Sequence, residues 1–172
     1  ECLVGSEMCI RDRMDFYDEN MLEWIVRGLK KNNQNEQKIR FEITETSLAA
    51  IGENHTRMLT HLKENGAEIL LDDFGNGYSS FGMLQDYDFD ILKIDMSFIR
   101  KIGENPKTKS IVHSIIGMAH EIGIKTVAEG VETEEQVSFL RQSGCDYIQG
   151  YYYSKPLPEE EFVEFLEKAD AE

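Results

Sequence analysis

The sequence predicts an α/β fold with parallel strands, on three observations. Short apolar runs recur five times, and a helical pattern follows each one. Such alternation implies parallel pairing through helical crossovers. Each run also ends in charged or polar residues, where barrel enzymes carry their chemistry. An open doubly wound sheet and an α/β barrel both fit the alternation, and the strand-end chemistry favours the barrel. A complete barrel takes eight strands and about 250 residues. The expectation for these 172 residues is the C-terminal five or so βα units of a TIM-type (β/α) barrel, incomplete in this chain.

Residues 1–13, ECLVGSEMCIRDR, show no helical or strand period and read as a non-native or disordered head, resembling a translated sequencing-adapter scar. The domain is expected from residue 14 to residue 172. Residues 18–31 form a helix, with Met21, Leu22, Ile25, Val26 and Leu29 on one face and Asp18 or Asn20 as its cap. A strand follows at 39–45. A helix at 54–64 turns Met58, Leu59 and Leu62 inward and stops at Gly66.

The apolar run Ile69, Leu70, Leu71 is the central strand. It delivers Asp72 and Asp73 into a loop containing Gly75 and Gly77. Neighbouring strand residues point to opposite faces, so two adjacent acids can serve one site only where the strand ends and turns. A short helix is expected at 80–85 and a strand at 90–99. The helix at 107–122 carries Ile111, Ile115, Ala119 and Ile122 and ends at Gly123. A strand covers 125–131. Thr133 and Gln136 form a capping box opening a helix that carries Val137 and Leu140 and stops at Gly144. A strand at 147–153 precedes a last helix from Pro158, with Phe162, Phe165 and Leu166 buried.

Composition removes several function classes. No apolar run reaches the length of a membrane span, so no membrane contact is expected. Cys2, Cys9 and Cys145 lack metal-type spacing, which gives neither a disulfide framework nor a zinc site and points to a reducing, cytoplasmic setting. A net charge of −15 argues against DNA and other broad nucleic-acid binding. An anionic small substrate stays compatible if metal ions offset the repulsion.

The chemistry-bearing residues, strand by strand, are Glu42 and Glu45, Asp72 and Asp73, Lys93 and Asp95, Glu129 and Glu132, and Gln149. Acids on four consecutive strand ends around one lysine repel each other unless a cation sits among them. Glu42, Asp72 and Asp73 make an oxygen-ligand set for a hard cation such as Mg²⁺. Lys93 suits a phosphate or a metal-bound water, and Glu129 suits a general base. Plainer readings stand beside these. Glu45 or Glu132 anchors the glycine loop, Asp95 pairs with Lys93, and Gln149 beside Gly150 belongs to a turn. His55, His61, His113 and His120 read as surface or packing residues, and Tyr151, Tyr152 and Tyr153 as packing and rim residues.

The segments FEITETSL, LLDDFGNGYSSF, ILKIDMSFI, TVAEGVETEEQ and GCDYIQGYYYSKPLP resemble, in order and spacing, the EAL domain of bacterial phosphodiesterases of cyclic dimeric GMP. The resemblance implies a modified barrel and hydrolysis of one phosphodiester of cyclic dimeric GMP to the linear dinucleotide, with two ions of Mg²⁺ or Mn²⁺. By motif position it implies that Glu42, Asp72 and Asp73 are metal ligands, with Asp72 bridging. Lys93 falls near the metal-bound water, and Glu129 is the general base or a second-metal contact. Gln149 falls close to the active centre, and Glu45 holds the loop at 73–80. Asn76 replaces a common Thr. The Glu-Ala-Leu segment and a following metal-binding Asn are absent from the sequence, so the family pattern makes residues 14–172 the C-terminal two-thirds of the domain. Such a piece is expected to be poorly stable alone and inactive or nearly so. The family further suggests a homodimer and an upstream sensor or cyclase domain in the full-length protein. A non-catalytic binding or interaction module using the same pocket, and a different metal-dependent barrel enzyme of the enolase type, are the competing readings.

Overall fold

The computed structural model of the chain describes residue 27 and residues 40–49, 54–75 and 80–169. The head at 1–13, Asn76, Gly77 and most of the expected helix at 18–31 lie outside the described residues. In order the elements are β1 (Arg40–Thr44), α1 (Glu45–Ala49), α2 (Asn54–Glu64), β2 (Glu68–Phe74), α3 (Ser80–Asp86), β3 (Ile91–Ile94), α4 (Met96–Arg100), α5 (Pro106–Glu121), β4 (Lys125–Glu129), α6 (Glu134–Ser143), β5 (Tyr147–Gln149) and α7 (Glu159–Ala169).

All the strand pairings are parallel, and the spatial order β1-β2-β3-β4-β5 repeats the chain order. A doubly wound sheet reverses direction at a switch point. This one does not, so each right-handed crossover steps the same way and the helices fall on one side. That is the winding of a barrel wall. The core has the matching asymmetry. Phe41, Ile43, Ile69, Leu71, Leu92, Ile94, Ala128 and Ile148 pack with helix residues such as Leu59, Leu62, Ile99, Val112, Ile116 and Leu140 in one large cluster. The opposite face holds a small cluster, Leu70, Ile91 and Val127 with Tyr147 beside it. Strand alternation then assigns Glu42, Asp72, Lys93, Glu129 and Gln149 to this second face.

Several expected boundaries move. The strand expected at 90–99 ends at Ile94, because Asp95 caps α4 by accepting the Ser97 N–H at 2.9 Å. The strand expected at 39–45 stops at Thr44, and Glu45 opens α1. The strands at 125–131 and 147–153 end at Glu129 and Gln149. On α5 the buried stripe is Thr108, Val112, Ile115, Ile116 and Ala119, whereas Ile111 and Ile122 are about half exposed. The real stripe is rotated because Thr108, a polar residue, is on the packed side. Phe162 and Phe165 on α7 are only half-buried and Leu166 is exposed, since α7 follows a three-residue strand with little sheet to lie on. The Thr133–Gln136 capping box forms as expected.

The N-terminal edge of the sheet uses one device twice. Asp90, just before β3, accepts the Ile69 N–H of β2 at 2.8 Å and pairs with Lys63 near the end of α2 at 3.0 Å. Asp146, just before β5, accepts the Thr126 N–H of β4 at 2.8 Å and meets His120 near the end of α5 at 2.8 Å. Each carboxylate pins a strand start to the helix that precedes the neighbouring strand. Burial opposes ionisation of Asp146, but the bonds from His120 and Thr126 outweigh it and lower its pKa. A lowered carboxylate contributes stability above its ordinary pKa and loses it as pH falls through the folded value. Asp146→Asn is therefore expected to cost about 1 kcal/mol at neutral pH. Its thermal melting point should also decline less steeply than that of the parent chain below about pH 4, as read from melting curves.

Candidate functional site

Residues at the C-terminal ends of four neighbouring strands converge on one ammonium group. Lys93 Nζ lies 2.6 Å from Glu129 Oε1, 3.1 Å from Asp72 Oδ1 and 3.1 Å from Glu42 Oε1. The lysine side chain is 7% exposed and that of Asp72 2%. Register explains the meeting. Glu42 pairs with Leu70, one pleat before Asp72, and Lys93 pairs with Val127, one pleat before Glu129. The stagger of a barrel wall thus brings alternate residues of four strands to one level.

The adjacent acids Asp72 and Asp73 reach the same place through a bulge. Between the pairs Leu71↔Leu92 and Phe74↔Ile94, β2 spends one residue more than β3. Asp73 takes a φ of 57°, the one positive φ of a non-glycine residue among those described. Asp tolerates this left-handed region better than most residues. The bulge returns Phe74 to the helix-covered face, where it is buried, and leaves both carboxylates on the other side. The expectation that the strand must end for two adjacent acids to share a site is corrected here, since β2 continues through Phe74.

Electrostatics follow from crowding. Burial alone would lower the Lys93 pKa, but Glu129, then Asp72 and Glu42, outweigh it and raise it above the ordinary lysine value. Burial pushes the Glu129 carboxyl up, Lys93 pulls it down, and Asp72 and Glu42 push it up again; the outcome is above the ordinary glutamate value. Carboxylate oxygens of Asp72, Asp73 and Glu129 lie within 4.8 Å of one another. Oxygens around a small divalent cation stand about 3–4 Å apart, so modest side-chain rotation closes this group on such an ion. The donor set, all hard oxygen, fits Mg²⁺, Mn²⁺ or Ca²⁺.

The remaining expected site residues distribute differently. Asp95 does not supply the Lys93 pairing expected of it, because its carboxylate is spent on the α4 cap. Gln149 pairs across β5 with Glu129 and is exposed, so it stands at the rim of the cluster. Glu45 is buried at the first turn of α1. Glu132 lies outward and approaches Arg100 at 3.7 Å. Gly75 has a φ of 100° and presses against the Phe98 ring, a neighbour that strand-end reasoning did not single out. Tyr152 donates to Glu134 and stacks edge-on against Tyr153, the rim packing expected of it.

Comparison with known proteins agrees with this fold. Residues 9–156 match the EAL domain family. The probable cyclic di-GMP phosphodiesterase PdeB of Escherichia coli is 44% identical over 134 residues, which are 78% of this chain and 25% of PdeB. The EAL domain of Mycobacterium smegmatis DcpA superposes with a TM-score of 0.81 at 34% identity, covering 87% of this chain and 67% of that one. Klebsiella pneumoniae BlrP1, in a manganese and cyclic di-GMP complex, superposes at 0.76 with 29% identity, covering 82% and 36%. The chain spans 16–25% of the length of such curated relatives. A parallel barrel wall, acids on its strand ends and a match over most of its length make this chain a member of the EAL domain family.

Proposed function

We infer that the chain carries the strand-end chemistry of a metal-dependent phosphodiesterase acting on cyclic dimeric GMP. The observation that carries the reading is the Asp72, Asp73 and Glu129 oxygen cluster held beside Lys93. Asp72, Asp73 and Glu129 would hold Mg²⁺ or Mn²⁺, with Glu42 turned toward the same centre by its pairing to Lys93. When bound, the cation neutralises phosphodiester charge and lowers the pKa of water.

The chain's own residues supply the rest. Glu129, whose carboxylate faces the same centre, accepts the proton of the attacking water. Lys93 keeps the Glu129 oxygen oriented at 2.6 Å and presents positive charge to the scissile phosphate. Gln149, exposed beside Glu129, offers an amide to the substrate. Asp73 keeps its aim through the bulge, so its contribution depends on backbone shape as well as charge. The cytoplasmic setting belongs to the same proposal; Cys145, the cysteine among the described residues, is a free thiol.

Hydrolysis of cyclic dimeric GMP is tested by chromatography of the dinucleotide product. Little turnover is expected from these 172 residues alone; a chain extended to the complete EAL domain is expected to turn over with Mn²⁺ or Mg²⁺ and to lose at least a hundredfold on chelation. Glu129→Gln should lower kcat by about 10²–10⁴-fold, the range of a lost general base. No turnover by the folded, complete domain given either metal would overturn the reading.

Calcium fits the same oxygen set with slacker geometry. Added at fixed Mg²⁺, it is expected to depress turnover in a dose-dependent way, and unchanged rates would count against a shared cage. Lys93→Met in metal-free protein strands three carboxylates and should cost about 3–5 kcal/mol by denaturant titration. Part of that loss should return with Mn²⁺, because a cation that binds only the folded chain stabilises it.

A further inference from the structure

We propose that α4 is a wedge that sets the separation of the two strand ends bearing the metal-site carboxylates, with Phe98 as its principal positioning residue and Met96 as its second. The inference rests on the proposed function for its meaning, though not for its geometry. These are the end of β2, with Asp72 and Asp73, and the end of β4, with Glu129, and each leads into a loop. Each begins with a left-handed glycine, Gly75 at φ 100° and Gly130 at φ 69°. Each glycine is filled from α4. A Cβ added at Gly75 would stand 2.6 Å from Phe98 Cε2, and one added at Gly130 would stand 2.6 Å from Met96 Cβ. The two contacts come from residues on one short helix, one aimed at each loop.

The wedge is itself anchored. Asp95 fixes its start through the Ser97 N–H, and that carboxylate is buried. Its own Ile99 and the following Ile102 are fully buried. The Gln136 side chain donates to the Ile99 carbonyl at 3.1 Å and its oxygen accepts the Glu132 and Thr133 N–H groups, which ties α4 to the β4–α6 connection. Lys93 and Asp95 are separated by a single residue, so the strand that supplies the central ammonium runs directly into the wedge. A ring pressed against Gly75 lies two residues from the bulged Asp73, and a side chain pressed against Gly130 lies one residue from Glu129. A shift at either glycine is therefore transmitted to a carboxylate of the cluster through one or two residues of backbone.

The test compares Phe98→Leu and Phe98→Ala with Phe139→Ala. Phe139 packs against the same core from α6, with Lys109 Nζ 5.8 Å from its ring centre. Two readouts are used, Mn²⁺ affinity by electron paramagnetic resonance and amide hydrogen exchange of residues 73–75 and 129–131 in metal-free protein. Expected are at least fivefold weaker Mn²⁺ binding in Phe98→Ala, a smaller loss in Phe98→Leu, and faster exchange in both segments. Phe139→Ala should bind Mn²⁺ within twofold of the parent. If Phe98→Ala fails to fold by circular dichroism, Phe98→Leu carries the comparison. Parental exchange and affinity in a folded Phe98 variant, or an equal loss in Phe139→Ala, would overturn the wedge. A parent chain that binds no Mn²⁺ would overturn the functional reading instead, with the exchange result still deciding the wedge.

Discussion

One buried ammonium holds the site together and also leaves it electrostatically incomplete. Lys93 meets three carboxylates that come from β1, β2 and β4. Each pairing gains Coulomb energy in a medium far less screening than water. One positive charge against three negative ones still leaves excess negative charge, and Asp73 adds to it within the same oxygen cluster. Burial first, and then the like-charged Asp72 and Glu42, raise the Glu129 pKa against a lysine at 2.6 Å. A divalent cation is the simplest complement to such an arrangement. Lys93 thus orders the carboxylates without neutralising them, and that combination suits a site built to receive metal.

The sheet separates this charge from the core by alternation alone. One face is apolar and covered by helices; the other carries a thin apolar layer, Leu70, Ile91 and Val127, beneath the charged group. Without the bulge at Asp73, strict alternation would send Asp73 toward the helices and Phe74 toward the charges. A left-handed aspartate costs roughly 1–2 kcal/mol. Burying Phe74 rather than a carboxylate under the helices offsets that cost, since an unpaired buried charge is several times more expensive.

Much of this was legible in the residues. Alternation of apolar runs with helical patterns was enough for parallel strands, and the Thr133–Gln136 box and the glycine stops placed helix ends closely. The acids at the strand ends were visible because charge in an otherwise apolar run is conspicuous. What was not legible depended on competition between local signals. Residues 90–99 alternate well enough for one long strand, yet the carboxylate of Asp95 accepts a backbone N–H two residues on and starts a helix instead. The same capping removed Asp95 from the charged cluster. The Asp73 bulge could not be read either, because the extra residue exists only relative to β3. The fit of Phe98 to Gly75 and of Met96 to Gly130 joins elements by packing, for which a single sequence carries no periodic signature.

The two ends of the sheet divide stability from chemistry, and the contrast lies in how their acids are satisfied. At the N-terminal edge Asp90 and Asp146 each take a backbone N–H and a basic side chain. The Asp146 pKa falls accordingly, which is the response of an acid with more donors than it needs for charge balance. At the C-terminal edge the acids outnumber the basic side chain they share, and the Glu129 pKa rises. The same residue type therefore acts as a structural pin at one end of the parallel sheet and as a reactive group at the other. The difference is made by burial together with the groups around each acid, donors from helix ends on one side and crowded carboxylates at strand ends on the other.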